Sequence, residues 1–338
     1  MVNRFERYGC VDMVVNGLQS ALDTLEEKLG IPPNIPVHDM MFGAGVDTAY
    51  FFLNEDLNLT ASAIQMIGLR AFKKGEPHNE IGRRISDILQ AYITSQPMYR
   101  PVITHATSLG TPSQQDLNEI VELLSSRGVP HIHIPEIDCL YVGLVEDNDR
   151  VYYDPAVDCG TRLEFAVANI EYPGLMRPPT MPATPEVATL PAGTIVRPVA
   201  RVHLADSAEA VIDRLRAIMD WPEEGDLGFI EGDDYRSIVV KPNHPLSAVW
   251  EIVEPTKPGG RAAAALARYG SGVWSTRLGV YGLDAKLDDL DKRHTGWERI
   301  EDGPEGARVE INRWDLRGPG VELQDLPVVL RGTGAGPI

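Results

Sequence analysis

The chain is poor in cysteine, in positive charge and in long apolar runs. Its three cysteines among 338 residues, Cys10, Cys139 and Cys159, form no CxxC pair and no even set, so a disulfide framework is excluded. They fit a reducing compartment. Lysine and arginine number 31 against 49 acidic residues, a net charge of −18. Such a chain has no excess of cations with which to neutralise phosphates, so nucleic acid is not an expected partner. No run approaches the roughly 18 apolar residues that a membrane helix needs. Met1 to Gly17 lacks the apolar core of a signal peptide. The expectation is a cytoplasmic protein with no membrane partner.

What is present is ordinary for a globular enzyme or binding protein, 43% hydrophobic and 24% charged. The length suggests about two domains. Between Glu171 and Gly193 the stretch "EYPGLMRPPTMPATPEVATLPAG" holds six prolines and no hydrophobic period. It reads as a linker over 171–193, with one module at 1–170, a second at 194–328 and a frayed tail at 329–338.

Each module repeats one plan. "RYGCVDMVV" reads as a strand and leads into "LQSALDTLEEKLG", where Leu18, Leu22, Leu25 and Leu29 share a helical face. Strands follow at Thr48 to Leu53 and Ala61 to Leu69, then a helix, "NEIGRRISDILQAYI". The strand "RPVITHATS" feeds a second amphipathic helix, capped by Ser113 and closed by Gly128. "HIHI", "RVYYDP" and "RLEFAVA" complete the first half. After the linker, "PVARVHLAD", the helix "SAEAVIDRLRAIM", "LGFIEG", "YRSIVVK" and "AVWEIVEP" restart the pattern. A basic, alanine-rich helix separates them from "GVWSTRLGV", "LDAKLDDLDKRHTG", "ARVEINRW" and "GVELQDL". Four β-α-β-β-β units in two pairs form an internal repeat.

This organisation resembles the vicinal-oxygen-chelate superfamily of glyoxalase I, methylmalonyl-CoA epimerase, extradiol dioxygenases and bleomycin-resistance proteins. "EIVEP", the alanine-rich helix and "YGSGVWSTRLGVYGLD" look like the end of one epimerase-type unit and the start of the next. "GCVDMVVNGLQSALDTLEEKLG" is similar to the family's first strand and helix, and "RLEFAVA" and "GVELQDL" to its last strands. The resemblance implies an α+β fold of four βαβββ units, paired into two modules with curled mixed sheets. It further implies that a metal, where present, is held by residues from the first and last strands of each unit.

In module one those positions fall on Cys10, Gln65, His105 and Glu164. A cysteine in an apolar strand is most simply a small buried hydrophobe, so Cys10 is placed in the substrate pocket. Gln65, His105 and Glu164 are the expected ligands of a divalent ion (Mg, Mn, Co, Ni, Zn or Fe), with Glu164 the expected catalytic carboxylate. In module two the positions are Val199, Glu251, Ser275 and Glu322, which offer no imidazole and a poor transition-metal site. Arg201 and His203 alternate with Val199 and are expected to make that cup polar and partly cationic. Glu322 is expected to pair with Arg277 or Arg201. The pair His131 and His133 reads as a polar strand face.

The function implied is a metal-assisted isomerase, epimerase or lyase acting on a small enolisable carbonyl compound. A bound ion would polarise two adjacent oxygens while a carboxylate moves a proton. A ring-cleaving extradiol dioxygenase is the alternative, although neither Val199 nor Ser275 supplies the histidine it needs. A non-catalytic binder of the bleomycin-resistance type is the other alternative, with Trp250, Trp274, Tyr281 and Trp314 as lining. A small molecule is the expected partner, and a homodimer the expected assembly.

Overall fold

The computed structural model describes residues 5, 7–15, 17–31, 35–39, 46–51, 63–69, 80–95, 102–103, 107–148, 150–167, 191–223, 227–243, 247–303, 306–311 and 320–325. The stretches 171–190 and 329–338, read above as most of the linker and the tail, lie outside these residues.

The first unit runs β1 (Arg7–Val15), α1 (Leu18–Leu29), β2 (Ile35–Asp39), β3 (Val46–Phe51) and β4 (Ala63–Leu69). Helix α2 (Glu80–Thr94) and the short β5 (Val102–Ile103) follow. The second unit is β6 (Thr107–Thr111), α3 (Gln114–Ser126), β7 (His131–Ile134), β8 (Cys139–Val142), β9 (Leu144–Asp147), β10 (Arg150–Tyr153) and β11 (Leu163–Val167). The third is β12 (Thr194–Leu204), α4 (Ala208–Met219), β13 (Phe229–Glu231), β14 (Tyr235–Val240) and β15 (Val249–Pro255). Helix α5 (Arg261–Tyr269) leads to the fourth unit. It comprises β16 (Gly272–Tyr281), α6 (Leu283–Lys292), β17 (Trp297–Gly303), β18 (Gly306–Ile311) and β19 (Gly320–Asp325).

Each half is built on one mixed sheet. In the first, the order is β2-β3-β4-β1-β6-β11-β8-β7; in the second it is β13-β14-β15-β12-β16-β19-β18-β17. Within a unit the first and last strands pair in parallel, as in β1·β4, β6·β11, β12·β15 and β16·β19. The two units of a half join where their first strands meet antiparallel, β1 on β6 and β12 on β16. The first and last strands of the two units, which carry Cys10, Gln65 and Glu164 in one half and Val199, Glu251, Ser275 and Glu322 in the other, are therefore adjacent at the centre of each sheet.

The leucine stripe of α1 does what its spacing predicts: Leu18, Leu22, Leu25 and Leu29 are all buried. They share one apolar cluster with Leu117 and Leu124 of α3, Leu215 of α4 and Leu287 and Leu290 of α6, so the outer faces of both sheets are closed by one common core. Each fully buried leucine contributes roughly 1.5–3 kcal/mol. Ser113 caps α3 by accepting from the Asp116 amide. Polar contacts then fix α1 to the end of α6: Lys286 Nζ donates to the Leu29 carbonyl at 2.6 Å and Thr295 Oγ1 to that of Lys28 at 3.0 Å. Arg127, after α3, pairs with Asp220, after α4, at 2.6 Å.

The inner faces are covered by the two inserted helices. Ile85, Ile88, Leu89 and Tyr92 of α2 pack with Ile132, Ile134, Cys139 and Tyr141 in a separate cluster. On the second sheet, Ala262 of α5 packs with Val202, Leu204 and Val253. No helix of the described residues is long and apolar enough to cross a membrane.

Two local expectations change. Among the described residues the β-strand of "RVYYDP" pairs only with β9 in a separate hairpin, whereas "CLYV" forms β8 inside the main sheet. All four residues of β8 are buried, so it lacks the alternation that marks a strand. The strand expected over "RPVITHATS" is two, β5 and β6, and His105 falls between them, outside the described residues.

Candidate functional site

In module one, Glu164 is the described member of the expected set. It lies at the middle of β11, paired with Ser108 on β6 and Tyr141 on β8. Its neighbours Leu163 and Phe165 point into the common core, and alternation turns Glu164 to the inner face beneath α2. Glu164 is half-buried as a residue, but its Oε2 is closed off from solvent. Burial pushes the carboxyl up to about 7, against a smaller lowering by a hydrogen bond from the Cys139 side chain. A carboxyl so placed holds or releases a proton near neutrality.

The sequence did not single out the groups beside it. Tyr92 of α2 is fully buried, and burial, then Asp158 and Glu164, raise its hydroxyl well above the ordinary range. Tyr92 meets Tyr153 edge-on at 5.1 Å, and Tyr153 donates its hydroxyl to Asp158. Asp158, fully buried, also accepts from the amides of Leu163 at 3.1 Å and Gly160 at 3.2 Å. Burial raises its carboxyl to about 6 despite these donors and the nearby Arg162. The Arg162 guanidinium lies 5.5 Å from the centre of the Tyr153 ring. Tyr92 was hidden in the apolar stripe of a helix. Asp158 and Arg162 sit in "DPAVDCGTR", which has no period to read.

Of the other module-one positions, Cys10 and Gln65 have backbones paired with Ala63 and Asp12. Their side chains, like all of His105, lie outside the described residues. His131 and His133 face away from Glu164: His133 pairs with Leu140, which belongs to the common core.

Module two gathers its positions differently. Glu251 on β15, Ser275 and Arg277 on β16 and Glu322 on β19 converge on the inner face. Arg277 Nε donates to Glu322 Oε2 at 2.7 Å, and its Nη2 to Glu251 Oε1 at 3.2 Å, with Nη1 also on Glu251. Arg308 Nη2 donates to the same Glu322 oxygen at 2.6 Å, and Ser275 Oγ to the other at 3.1 Å. Burial alone would raise Glu322, but Arg277 and Arg308 outweigh it and hold the carboxyl at about 2. Burial opposes the Arg277 charge, and Glu251 and Glu322 more than offset this. Val199 falls in an irregularity of β12, between Pro198 and Ala200.

Arg201 and His203 do share a face, but it is the opposite one. His203 pairs with Ile252 and Arg201 with Trp250, both members of the outer core. Arg201 and His203 are fully buried. Burial, then Arg162 and Arg201, push the His203 imidazole down to about 3, so it is neutral at physiological pH. Their placement therefore does not support a role in lining the module-two cup. Nor do the tryptophans share a pocket: Trp250 stacks near Trp221 in the outer core, whereas Trp274 meets Tyr235 beside α5. Trp314 lies outside the described residues.

Fitness for a divalent ion differs between the cups. In module two both carboxylates already bind guanidinium groups, and the cup so occupied does not fit a metal. In module one, Glu164 is a carboxyl whose proton a cation would displace, so its chemistry fits. Among the described residues, no group of three or more His, Cys, Asp and Glu side chains is placed to hold an ion.

No protein-family model and no curated protein matches the sequence. Solved structures do. A triple variant of 4-hydroxymandelate synthase from Streptomyces coelicolor is 13% identical, with a TM-score of 0.54 over 95% of this chain and 92% of that one. BphC, a halotolerant catechol dioxygenase, is 10% identical, with a TM-score of 0.55 over 95% and 87%. The 2,3-dioxygenase LapB from a Pseudomonas species is 11% identical, with a TM-score of 0.52 over 96% and 93%. These likenesses and the strand order together show that the chain has the vicinal-oxygen-chelate fold, four βαβββ units paired into two modules.

Proposed function

We propose that the chain is an enzyme that moves a proton on a small, enolisable carbonyl compound through Glu164, in the module-one cup. The observation that carries this reading is a carboxyl on the inner face of the last strand of its unit, pushed up to about 7 by burial. Near neutral pH such a group is present in both protonation states, which general acid–base work requires. Tyr92 and Asp158 supply further ionisable groups at the same end of the cup. Gln65 and His105 would hold a divalent ion together with Glu164. Such an ion supplies Lewis-acid stabilisation of a developing enediolate. The same proposal divides the chain into 1–170 and 194–328, joined by 171–193.

The test is hydrogen exchange at the carbon beside the carbonyl. Small α-hydroxy ketones, hemithioacetals and acyl thioesters are incubated in heavy water with the wild type or Glu164→Gln, and loss of the α-proton is followed by NMR. Exchange with the wild type should fall roughly 10²–10⁴-fold in the variant. Equal exchange in both proteins, or none across the panel, sinks the reading. A specific observation would then favour simple ligand binding. The apolar stripe of α2 packs on the inner face, an apolar surface that a bound apolar molecule would have to share.

A further inference from the structure

We infer that Arg277 takes the place of a divalent cation at the centre of the module-two cup, and that the cup becomes a cation site when that guanidinium is removed. Glu251, Ser275 and Glu322 come from three different strands, β15, β16 and β19; both carboxylates meet at one guanidinium, and Ser275 Oγ donates to the other oxygen of Glu322. Arg277 contacts both carboxylates, at 2.7 Å to Glu322 Oε2 and 3.2 Å to Glu251 Oε1. Both carboxylates are buried, and two buried carboxylates side by side cannot both ionise without opposing charge. Arg277 and Arg308 together bring the two positive charges that one divalent ion would bring. The lowered value of Glu322 accords with this.

The chemistry of the oxygens defines what the vacated centre would take. Two carboxylates and a hydroxyl are hard donors, suited to Mg²⁺, Ca²⁺ or Mn²⁺ rather than to thiophilic metals. A guanidinium offers a planar fork of donors where an ion accepts lone pairs from any direction. Removing Arg277 frees both Glu251 oxygens and leaves Glu322 with Arg308 and Ser275. The cup then carries two carboxylates against one guanidinium, and a small cation restores the balance. The inference is independent of the chemistry proposed for Glu164, because its readout is cation binding at the other sheet.

The experiment titrates manganese chloride into the wild type and into Arg277→Ala, following Tm and the electron paramagnetic resonance of free Mn²⁺. Arg277→Ala should gain a rise in Tm of about 3–8 °C at Mn²⁺ near one hundred times Kd. The wild type should show at most the rise owed to the proposed module-one ion, which Arg277→Ala shares, and adding Glu322→Gln to Arg277→Ala should remove the further gain. A folded Arg277→Ala that is indifferent to Mn²⁺, or a wild type that responds equally, overturns the inference. If Arg277→Ala does not fold, the triple variant Glu251→Gln, Arg277→Met, Glu322→Gln decides. Recovery of the fold supports charge replacement as the role of Arg277, and failure to recover it overturns that role.

Discussion

Replacing Glu164 by Gln should make the protein more stable while removing its proposed chemistry. The carboxyl stands at about 7 in the folded chain against an ordinary 4.5. Below the ordinary value both folded and unfolded chains hold the proton, and the group contributes nothing. As pH rises from there to about 7, the unfolded chain ionises first, so stability drains away. Above about 7 the loss is complete, and its ceiling is about 3 kcal/mol. The residue keeps a partly exposed edge, and solvent screening there reduces the loss to roughly 1.5–3 kcal/mol. Gln keeps the shape and the polar contact with Cys139 but carries no proton to lose. The measurement is urea unfolding of both proteins, stripped of divalent ions by a chelator, at about pH 5 and about pH 8. The variant should gain most of that energy at the higher pH and about a quarter of it at the lower. Taking the difference between proteins cancels every other titrating group. Equal pH dependence in the two proteins, or a variant less stable at about pH 8, would mean that Glu164 is ionised and structurally paired. The proton-transfer reading would go with it.

Tyr153→Phe removes the hydroxyl that Asp158 accepts from. It should cost about 1–3 kcal/mol. The deficit should be larger at high pH, because losing a donor raises further an Asp158 carboxyl already at about 6, as unfolding at two pH values would reveal. Ser113→Ala removes the N-cap of α3 and should cost about 1 kcal/mol in urea unfolding, without altering the pH dependence that Glu164 confers. Elemental analysis of the purified protein should find a divalent metal that His105→Ala loses, with binding that weakens as pH falls through the imidazole range. Equal metal content in the two proteins would remove His105 from the ligand set.

How much of this was legible follows from which elements have a period. The leucines of α1 and the Ser113 cap of α3 are local signals, and the structure repeats them. Strand β8 has buried side chains on both faces, so "CLYV" offered nothing to count. The same fact explains Arg201 and His203. Alternation correctly puts them on one face, but it cannot say which face is the cup when helices cover both sides of the sheet. The covering helices α2 and α5 were readable as helices, yet where they pack is a tertiary fact. The Glu322 to Arg277 pair was foreseeable from charge and position. The second guanidinium of Arg308, reaching across from β18, was not.

The two cups solve one electrostatic problem in two ways. Each sheet puts a carboxylate in the last strand of its second unit, Glu164 in β11 and Glu322 in β19, and turns it to the inner face beneath an inserted helix. Module two answers with arginine: Glu322 is held at about 2 and stays ionised well below neutrality, so it can neither take up nor deliver a proton at physiological pH. In module one burial prevails, and Glu164 keeps a proton up to about 7. These carboxyls, on one fold and in equivalent strands, are thus driven to opposite sides of the ordinary carboxylate range. A group locked in one charge state suits a scaffold, and a group balanced between two suits chemistry. That contrast supports the proposal that the working cup is in module one, the half where the resemblance also puts the expected ligand set.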